Sequence, residues 1–453
     1  MEVYETKDGF CGGKVTVLSL LHAPNCVYIA PMLATPELIR ETSQFSRLAE
    51  WLPRWREMPL YRDSLAHAEP HFPAPNLRAD FPRLPLLGKR DMRTGFPHNF
   101  LPAGQSLETL LENRLVELEH TSGTSEERLP VIFERGWWDA QEARALRLNA
   151  FVAKVLDEYQ HARRVTITPP ACNGLTCPRG WVSLEQRTIG HTLFANLARI
   201  PFLLDETELA RIATETSAWA PQFLDLDPVH GMWFALYCER RRIKFPSLKF
   251  ILCSYEFVSV VHRRILERAF GVPVFNLYGS TETGHLLMEN ERGEMKCSHD
   301  TAFLEIVEPD ARGVGDLVVT TLSNDYMPLL RYRIGDLVQQ RTLPYGTGYI
   351  VHGRTGSALK SRNGRRVTTW EVDQCFADAA GIAHYELRQE PGSDCVLCCV
   401  PDGGGPTEET LKRVTSRLGT LLKARIEPKV TDVLLPSASG KFRLTRPASD
   451  RAE

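Results

Sequence analysis

The sequence has no long unbroken apolar run. Its most apolar early stretch, Val15 to Leu33, is interrupted by His22, Pro24, Asn25 and Pro31 and makes a poor membrane span. Charge of one sign is not in excess either. The 54 basic and 56 acidic residues leave a net charge of −2, which argues against a general nucleic-acid or membrane surface. The chain opens Met1-Glu2-Val3-Tyr4-Glu5, without the basic-then-apolar order of a secretory leader. A cytoplasmic protein with neither nucleic acid nor membrane as partner is the expectation. No internal repeat or low-complexity tract stands out. Eleven cysteines in 453 residues do not suggest a disulfide scaffold. Cys395, Cys398 and Cys399 fall in an apolar run that reads as a buried strand, where free thiols pack as small hydrophobes. Cys172 and Cys177 bracket a Pro/Gly-bounded loop that could hold a metal, but two ligands alone do not make a site.

What is present points to a globular enzyme of more than one domain. Hydrophobic residues make up 43% and charged residues 24%, and 453 residues exceed one ordinary core. Residues 69–103 are rich in proline, which predicts extended backbone wrapping a surface. A short helix near Leu107, a strand over Leu115–Glu119 and a helical pattern from Asp139 to Tyr159 follow. Short β-rich runs at Arg164–Thr168, Phe250–Cys253 and Val272–Asn276 surround an amphipathic helix with Val261, Ile265, Leu266 and Phe270 on one face. Strands alternating with helices predict a wound parallel sheet. Gly315–Thr321 and Asp336–Gln340 read as antiparallel strands, and a helix is expected near Thr407–Ala424. The fold class is therefore α/β: a large N-terminal domain with wound mixed sheets, residues 1–355, and a small α+β C-terminal domain, residues 356–453.

Five short segments carry chemistry. Thr121-Ser122-Gly123-Thr124-Ser125 follows a strand and offers hydroxyls and backbone N–H groups to phosphate oxygens. It lacks the Gly-Lys-Ser/Thr of a Walker loop, and in isolation a plain turn is the better reading. Tyr278-Gly279-Ser280-Thr281-Glu282 leaves the carboxyl end of a strand, where α/β sheets bind ligands; a tyrosine there can stack on a base and a carboxylate can hold Mg²⁺ beside phosphates. Asp336, after the glycine of Arg331-Tyr332-Arg333-Ile334-Gly335, suits bidentate bonding to ribose hydroxyls, or is a solvated turn residue. Gly353-Arg354-Thr355-Gly356-Ser357 has the small residues of a hinge. Ser439-Gly440-Lys441 places a lysine on a loop able to reach a cleft.

Together and in this order, the segments resemble the adenylate-forming superfamily of acyl-CoA synthetases, peptide-synthetase adenylation domains and luciferases. The resemblance spans roughly residues 85 to 446, and the Met327–Arg333 run is most similar to the phenylacetate–CoA ligase branch. It implies a ligase that activates a carboxylic acid, aromatic by that branch, as acyl-AMP with release of pyrophosphate and then transfers it to coenzyme A. The implied cofactors are ATP, Mg²⁺ and coenzyme A. Thr121, Ser122, Gly123, Thr124 and Ser125 would grip the β- and γ-phosphates. Tyr278, with Gly279 and Ser280, would pack on adenine. Thr281 would contact the nucleotide phosphate and Glu282 would hold magnesium. Asp336 and Arg354 would bind ribose, and Glu256 would lie beside the adenine and acyl pockets. Lys441 would bridge the substrate carboxylate and the α-phosphate, and Ser357 would be the hinge of a mobile C-terminal domain.

The departures from the family pattern are specific. The phosphate loop continues Glu126-Glu127-Arg128, where a glycine and often a lysine are usual, leaving Arg128 as the candidate replacement cation. Ser357 replaces a charged hinge residue, and Cys253-Ser254-Tyr255 puts bulk where glycine is usual. Two alternatives stay open: an adenylating enzyme passing the acyl group to a carrier-protein thiol or an amine, and a nucleotide-binding homologue that has lost catalysis. The oligomeric state, with a homodimer among the options, is open as well.

Overall fold

Twelve strands join into one mixed sheet in the computed structural model, which describes residues 16–18, 31–33, 36–66, 77–102, 104–121, 128–169, 182–197, 204–344, 346–392, 394–437 and 440–448. Its parallel part runs in the order Thr192–Phe194, Arg164–Ile167, Phe223–Leu226, Phe250–Cys253 and Val274–Ser280. The strands Phe223–Leu226 and Phe250–Cys253 are buried at every position, as expected of central parallel strands covered on both faces. The sheet turns antiparallel at Gly284–Glu289 and continues through Met295–Cys297, Gly346–Arg354, Tyr332–Leu343 and Val314–Thr321 to Ala302–Val307.

Helices cover both faces of the parallel part. On one face Ile251, Cys253, Leu224 and Leu226 pack against the helices Glu206–Trp219, Pro228–Arg241 and Val260–Phe270. The side chains of Asp205, Asp227 and Ser259 accept backbone N–H groups in the first turns of these three helices, and Gly271, in the left-handed region, ends the last. On the other face Phe223 and Phe250 stack with ring centroids 4.9 Å apart, against helices that precede the sheet. The single helical pattern expected over Asp139–Tyr159 is two helices, Trp137–Leu146 and Ala150–Glu158. Asn149 causes the break: its Oδ1 accepts the Val152 N–H as an N-cap, while its Nδ2 donates to the Glu289 carbonyl. The described part of the proline-rich stretch also departs from expectation. It includes the short helices Leu77–Asp80 and Lys89–Arg93, and is anchored where buried Arg331 donates to the carbonyls of Pro82 and Leu84. The Arg331 guanidinium is balanced by Glu305 at 3.0 Å.

The C-terminal part builds a second sheet in the order Ile426–Val430, Cys395–Pro401, Ile382–Gln389, Thr445–Arg446, packed on the helix Glu408–Leu422. Cys395, Cys398 and Cys399 are buried in its second strand. The Phe376 and Tyr385 rings stack at 3.8 Å in its core. This unit docks on the helix Val260–Phe270 and, through His352 and Thr368 at 2.9 Å, on the strand Gly346–Arg354 of the first. Val261 enters the C-terminal core, Asp373 accepts from Ser259 Oγ and the Val260 N–H, and Arg268 pairs with Asp402 at 2.7 Å. His262 Nε2 meets His384 Nδ1 at 2.9 Å across the same junction.

The turn from Val274–Ser280 into Gly284–Glu289 requires a residue without a side chain. A β-bulge separates Tyr278 from Gly279, and a Cβ on Gly279 would lie 2.1 Å from the Gly284 carbonyl oxygen. Gly279→Ala is therefore expected to lower unfolding free energy by about 1–3 kcal/mol in denaturant titration, the usual cost of overpacking.

Candidate active site

A cleft of about 1480 Å³ opens at the carboxyl ends of the parallel strands and is closed on its far side by the C-terminal unit. At one end Tyr278, leaving its strand, donates its hydroxyl to Asp336 Oδ2 at 2.7 Å, and Arg354 Nε lies 3.3 Å from Asp336 Oδ1. Asp336 and Arg354 are register partners on adjacent antiparallel strands, which explains how residues 18 apart in sequence face one another. Burial and the Asp336 carboxylate push the Tyr278 phenol well above its ordinary range, so it stays a hydrogen-bond donor. Gly353, in the left-handed region at φ 94°, brings the strand end against Thr369, where a Cβ would sit 2.9 Å from that side chain.

Glu282 follows on the Tyr278 loop and is buried at 4% exposure. Its Oε1 accepts the Tyr332 hydroxyl at 2.8 Å and lies 3.9 Å from Lys89 Nζ. One carboxylate with a single strong donor still has lone pairs for a divalent cation. That fits magnesium, which takes one or two protein carboxylates and completes its shell with phosphate oxygens and water. Among the described residues no group of three or more His, Cys, Asp or Glu forms a self-contained metal cage. Thr281 and Ser280 line the same wall, with Ser280 Oγ 3.0 Å from Thr283 Oγ1.

The C-terminal unit contributes Lys441. Its Nζ donates to the Tyr255 carbonyl at 3.2 Å, and the following residue's N–H, from Phe442, reaches Glu256 Oε1 at 3.0 Å. Burial and the Asp227 carboxylate push the Glu256 carboxyl well above the usual range, against the opposing pull of Lys441 and the Phe442 N–H. Tyr255 itself adopts φ 73°, a left-handed conformation unusual for an aromatic residue. Its hydroxyl donates to Asp225 Oδ2 at 3.0 Å. Ser357 lies at the short turn Thr355–Ser357 that joins the two units, and its carbonyl accepts from Thr445 Oγ1 at 2.8 Å.

The structure thus brings Thr121, Glu256, Tyr278, Gly279, Ser280, Thr281, Glu282, Asp336, Arg354, Ser357 and Lys441 to one cleft. Ser122, Gly123, Thr124 and Ser125, with Glu126, Glu127, Cys172 and Cys177, lie outside the described residues. Sequence reading missed Tyr332, Lys89, Tyr255 as a side chain, and the set of half-buried Glu142 and Arg164 with buried Asp225 and His285. Only Tyr332 carried a usable signal, since it alternates with Arg331 and Arg333 directly before Asp336. The histidine pair His262–His384 also escaped notice, because 121 intervening residues separate its members.

Sequence comparison finds no matching family model. Protein CapK of Staphylococcus aureus is 34% identical over 125 residues, covering 26% of this chain and 28% of CapK. An oxalate–CoA ligase of Arabidopsis thaliana is 26% identical over 246 residues, 48% of this chain and 47% of the relative. A phenylacetate–coenzyme A ligase of Thermus thermophilus is 27% identical over 185 residues, 37% of this chain and 42% of the relative. The chain spans less than half the length of the curated relatives it matches. Among solved structures, 2-hydroxyisobutyryl-CoA ligase in the postadenylation state overlays with a TM-score of 0.67 at 18% identity, covering 92% of this chain and 91% of that one. The same ligase in the thioesterification state gives 0.53 at 16% identity, with 90% of each chain covered. Among the described residues no helix is long and apolar enough to cross a membrane.

The junction beside Lys441 has a pH signature. Burial lowers His384 to about 4 and, together with His384, holds His262 well below its ordinary value. These depressed histidines contribute stability that is full above the ordinary value near 6.5 and is lost as pH falls through it. Asp373 has the opposite sign, raised to about 6 by burial against its hydrogen bonds from Ser259, Val260 and Tyr385, so its contribution is lost as pH rises through 6. The two histidines set a downward slope of melting temperature between pH 7 and pH 5, which Asp373 and the likewise raised Glu256 oppose. His384→Gln should flatten that slope in thermal scans.

Proposed function

We propose that this chain, which has the fold of the adenylate-forming ligases, activates a small carboxylic acid as acyl-AMP and transfers the acyl group to coenzyme A. One observation carries the reading: the Lys441 ammonium enters the cleft whose other end holds Tyr278, Asp336 and Arg354. A lysine ammonium has three donors, and Tyr255 takes one. The two that remain match one oxygen of a carboxylate and one oxygen of an α-phosphate.

In the first half-reaction the carboxylate oxygen attacks the α-phosphorus and pyrophosphate leaves. Negative charge grows on the α-phosphate oxygens, and a fixed cation there stabilises the transition state. Asp336 and Arg354 would hold the ribose, Tyr278 would pack on adenine, and Thr121 with the loop after it would face the outer phosphates. Glu282 would hold magnesium, which would supply charge neutralisation for the leaving pyrophosphate. In the second half-reaction a thiolate attacks the acyl carbon and AMP leaves. Lys441 then has no role, and rotation about Ser357 would swing it out of the cleft. The better overlay with the postadenylation state than with the thioesterification state supports taking the described arrangement as the adenylating one.

Acid-dependent exchange of pyrophosphate into ATP, run with a panel of aryl and alkyl acids, tests the reading. Exchange with at least one acid is expected, with consumption of coenzyme A in the full reaction. Exchange without that consumption would redirect the acyl group to a carrier-protein thiol or an amine. Lys441→Ala should lower exchange by about 10²–10³-fold, the usual cost of one transition-state donor, while sparing thiolysis of supplied acyl-AMP. Equal loss of both steps would contradict its role. Asp336→Asn is expected to raise the ATP KM more than it lowers kcat, measured by steady-state pyrophosphate release.

A further inference from the structure

Beyond Tyr255 the cleft ends in a charged wall that nucleotide chemistry does not use. Arg164 Nη1 pairs with Glu142 at 2.6 Å and lies 3.8 Å from Asp225. Asp225 also accepts from Ser254 Oγ and from the Tyr255 hydroxyl, each at 3.0 Å. These residues line the cleft, as do Trp138 and His285, whose rings lie 4.8 Å apart. Two carboxylates face one guanidinium, so the wall carries an excess of acceptor oxygens. Burial raises the Asp225 carboxyl, as the neighbouring Glu142 carboxylate also does, against the opposing pull of Arg164. His285 Nε2 is buried without a hydrogen-bond partner, and the residue is only 9% exposed. A buried polar atom left without a partner is uncommon in folded proteins and is often completed by a ligand or water.

Tyr255 fixes how far this wall lies from the reacting carboxylate. Its backbone carbonyl holds Lys441 and its hydroxyl touches Asp225, so one tyrosine residue, from carbonyl to hydroxyl, spans the separation. We infer that the acid activated here is a ring-bearing carboxylic acid with a hydroxyl or amino group about one ring's length from the carboxylate, donated to Asp225 and Glu142. The ring would lie between Tyr255 and Trp138. An unsubstituted aryl acid such as phenylacetate would displace water from the remaining lone pairs of these carboxylates and from His285 Nε2 without supplying a donor, and hydrogen-bonding sites reject analogues that lack the group they are built for. This inference rests on the adenylating reading of the same cleft and names its substrate class.

Binding and turnover separate the two claims. Acid affinity is measured by calorimetry on the full chain with a non-hydrolysable ATP analogue, comparing phenylacetate and benzoate with their para-hydroxy and para-amino derivatives. The substituted acids should bind at least ~10-fold more tightly. Asp225→Asn should remove most of that preference, and Tyr255→Phe, which keeps the ring and the fold, should reduce it. Equal or tighter binding of the unsubstituted acids, or a preference unchanged in both variants, would overturn the inference. Tight, discriminating binding without pyrophosphate exchange would uphold the pocket while refuting the adenylating reading.

Discussion

Between the strand Phe250–Cys253 and the helix Val260–Phe270 the chain makes a short turn, and Tyr255 occupies it with a positive φ. That conformation costs an aromatic residue on the order of 1 kcal/mol or more, so its surroundings must hold it. They do so on three sides. The Tyr255 carbonyl takes the Lys441 ammonium, its hydroxyl reaches Asp225, and the next side chain, Glu256, takes the Phe442 N–H. With glycine at position 255 the backbone would turn more easily, but the link from the sheet to the charged wall would vanish. The bulk that departs from the expected glycine is thus the piece that joins the two units and links Lys441 to the charged wall.

The helix that follows the turn serves both units. Its inward face, with Ile265 and Leu266, belongs to the sheet's core, while Val261 completes the C-terminal core. The polar groups between them are paired across the junction: Asp373 with the helix N-terminus, His262 with His384, and Arg268 with Asp402. A carboxylate at a helix N-terminus gains both hydrogen bonds and the field of the helix. These contacts are directional, and several are buried. Separating the units would expose them to water at little loss per bond, since water replaces each partner, yet it would forfeit the apolar contacts of Val261 and Phe442. That balance would suit the forming and releasing of this junction that the proposed cycle requires.

The fold and the convergence of Tyr278, Asp336 and Arg354 at one end of the cleft were legible in the sequence because both depend on local order. A central parallel strand reads as a short apolar run, and the loop that leaves it carries its chemistry within five residues, as in Tyr278–Glu282. Asp336 and Arg354 could be named for the same reason, although their pairing depends on strand register that spacing alone does not fix. The break at Asn149 was hidden because apolar spacing continues through it; only the capping bonds reveal two helices. The charged wall was out of reach for a different reason. Glu142, Arg164, Asp225 and His285 come from four separate elements, and each alone reads as a solvated or satisfied residue. Their meaning lies in convergence on one buried surface, which is a property of the tertiary fold.

Convergence also changes what Lys441 does in the docked arrangement. Glu256 is held above its ordinary range by burial and Asp227, and Lys441 with the Phe442 N–H pulls it back. Docking the C-terminal loop therefore favours the ionised form of Glu256, and by linkage ionised Glu256 favours docking. A substrate carboxylate arriving at Lys441 brings a second negative charge to the same ammonium. The lysine can serve both, because Tyr255 engages only one of its three donors and Glu256 is bound through the Phe442 backbone rather than through Nζ. Once the proposed reaction converts the carboxylate to a mixed anhydride with the α-phosphate, that attraction weakens. What remains to hold the loop is the Tyr255 carbonyl, Glu256 and the apolar seat of Phe442, so on the proposed reading the chemistry itself reduces the grip that positions Lys441.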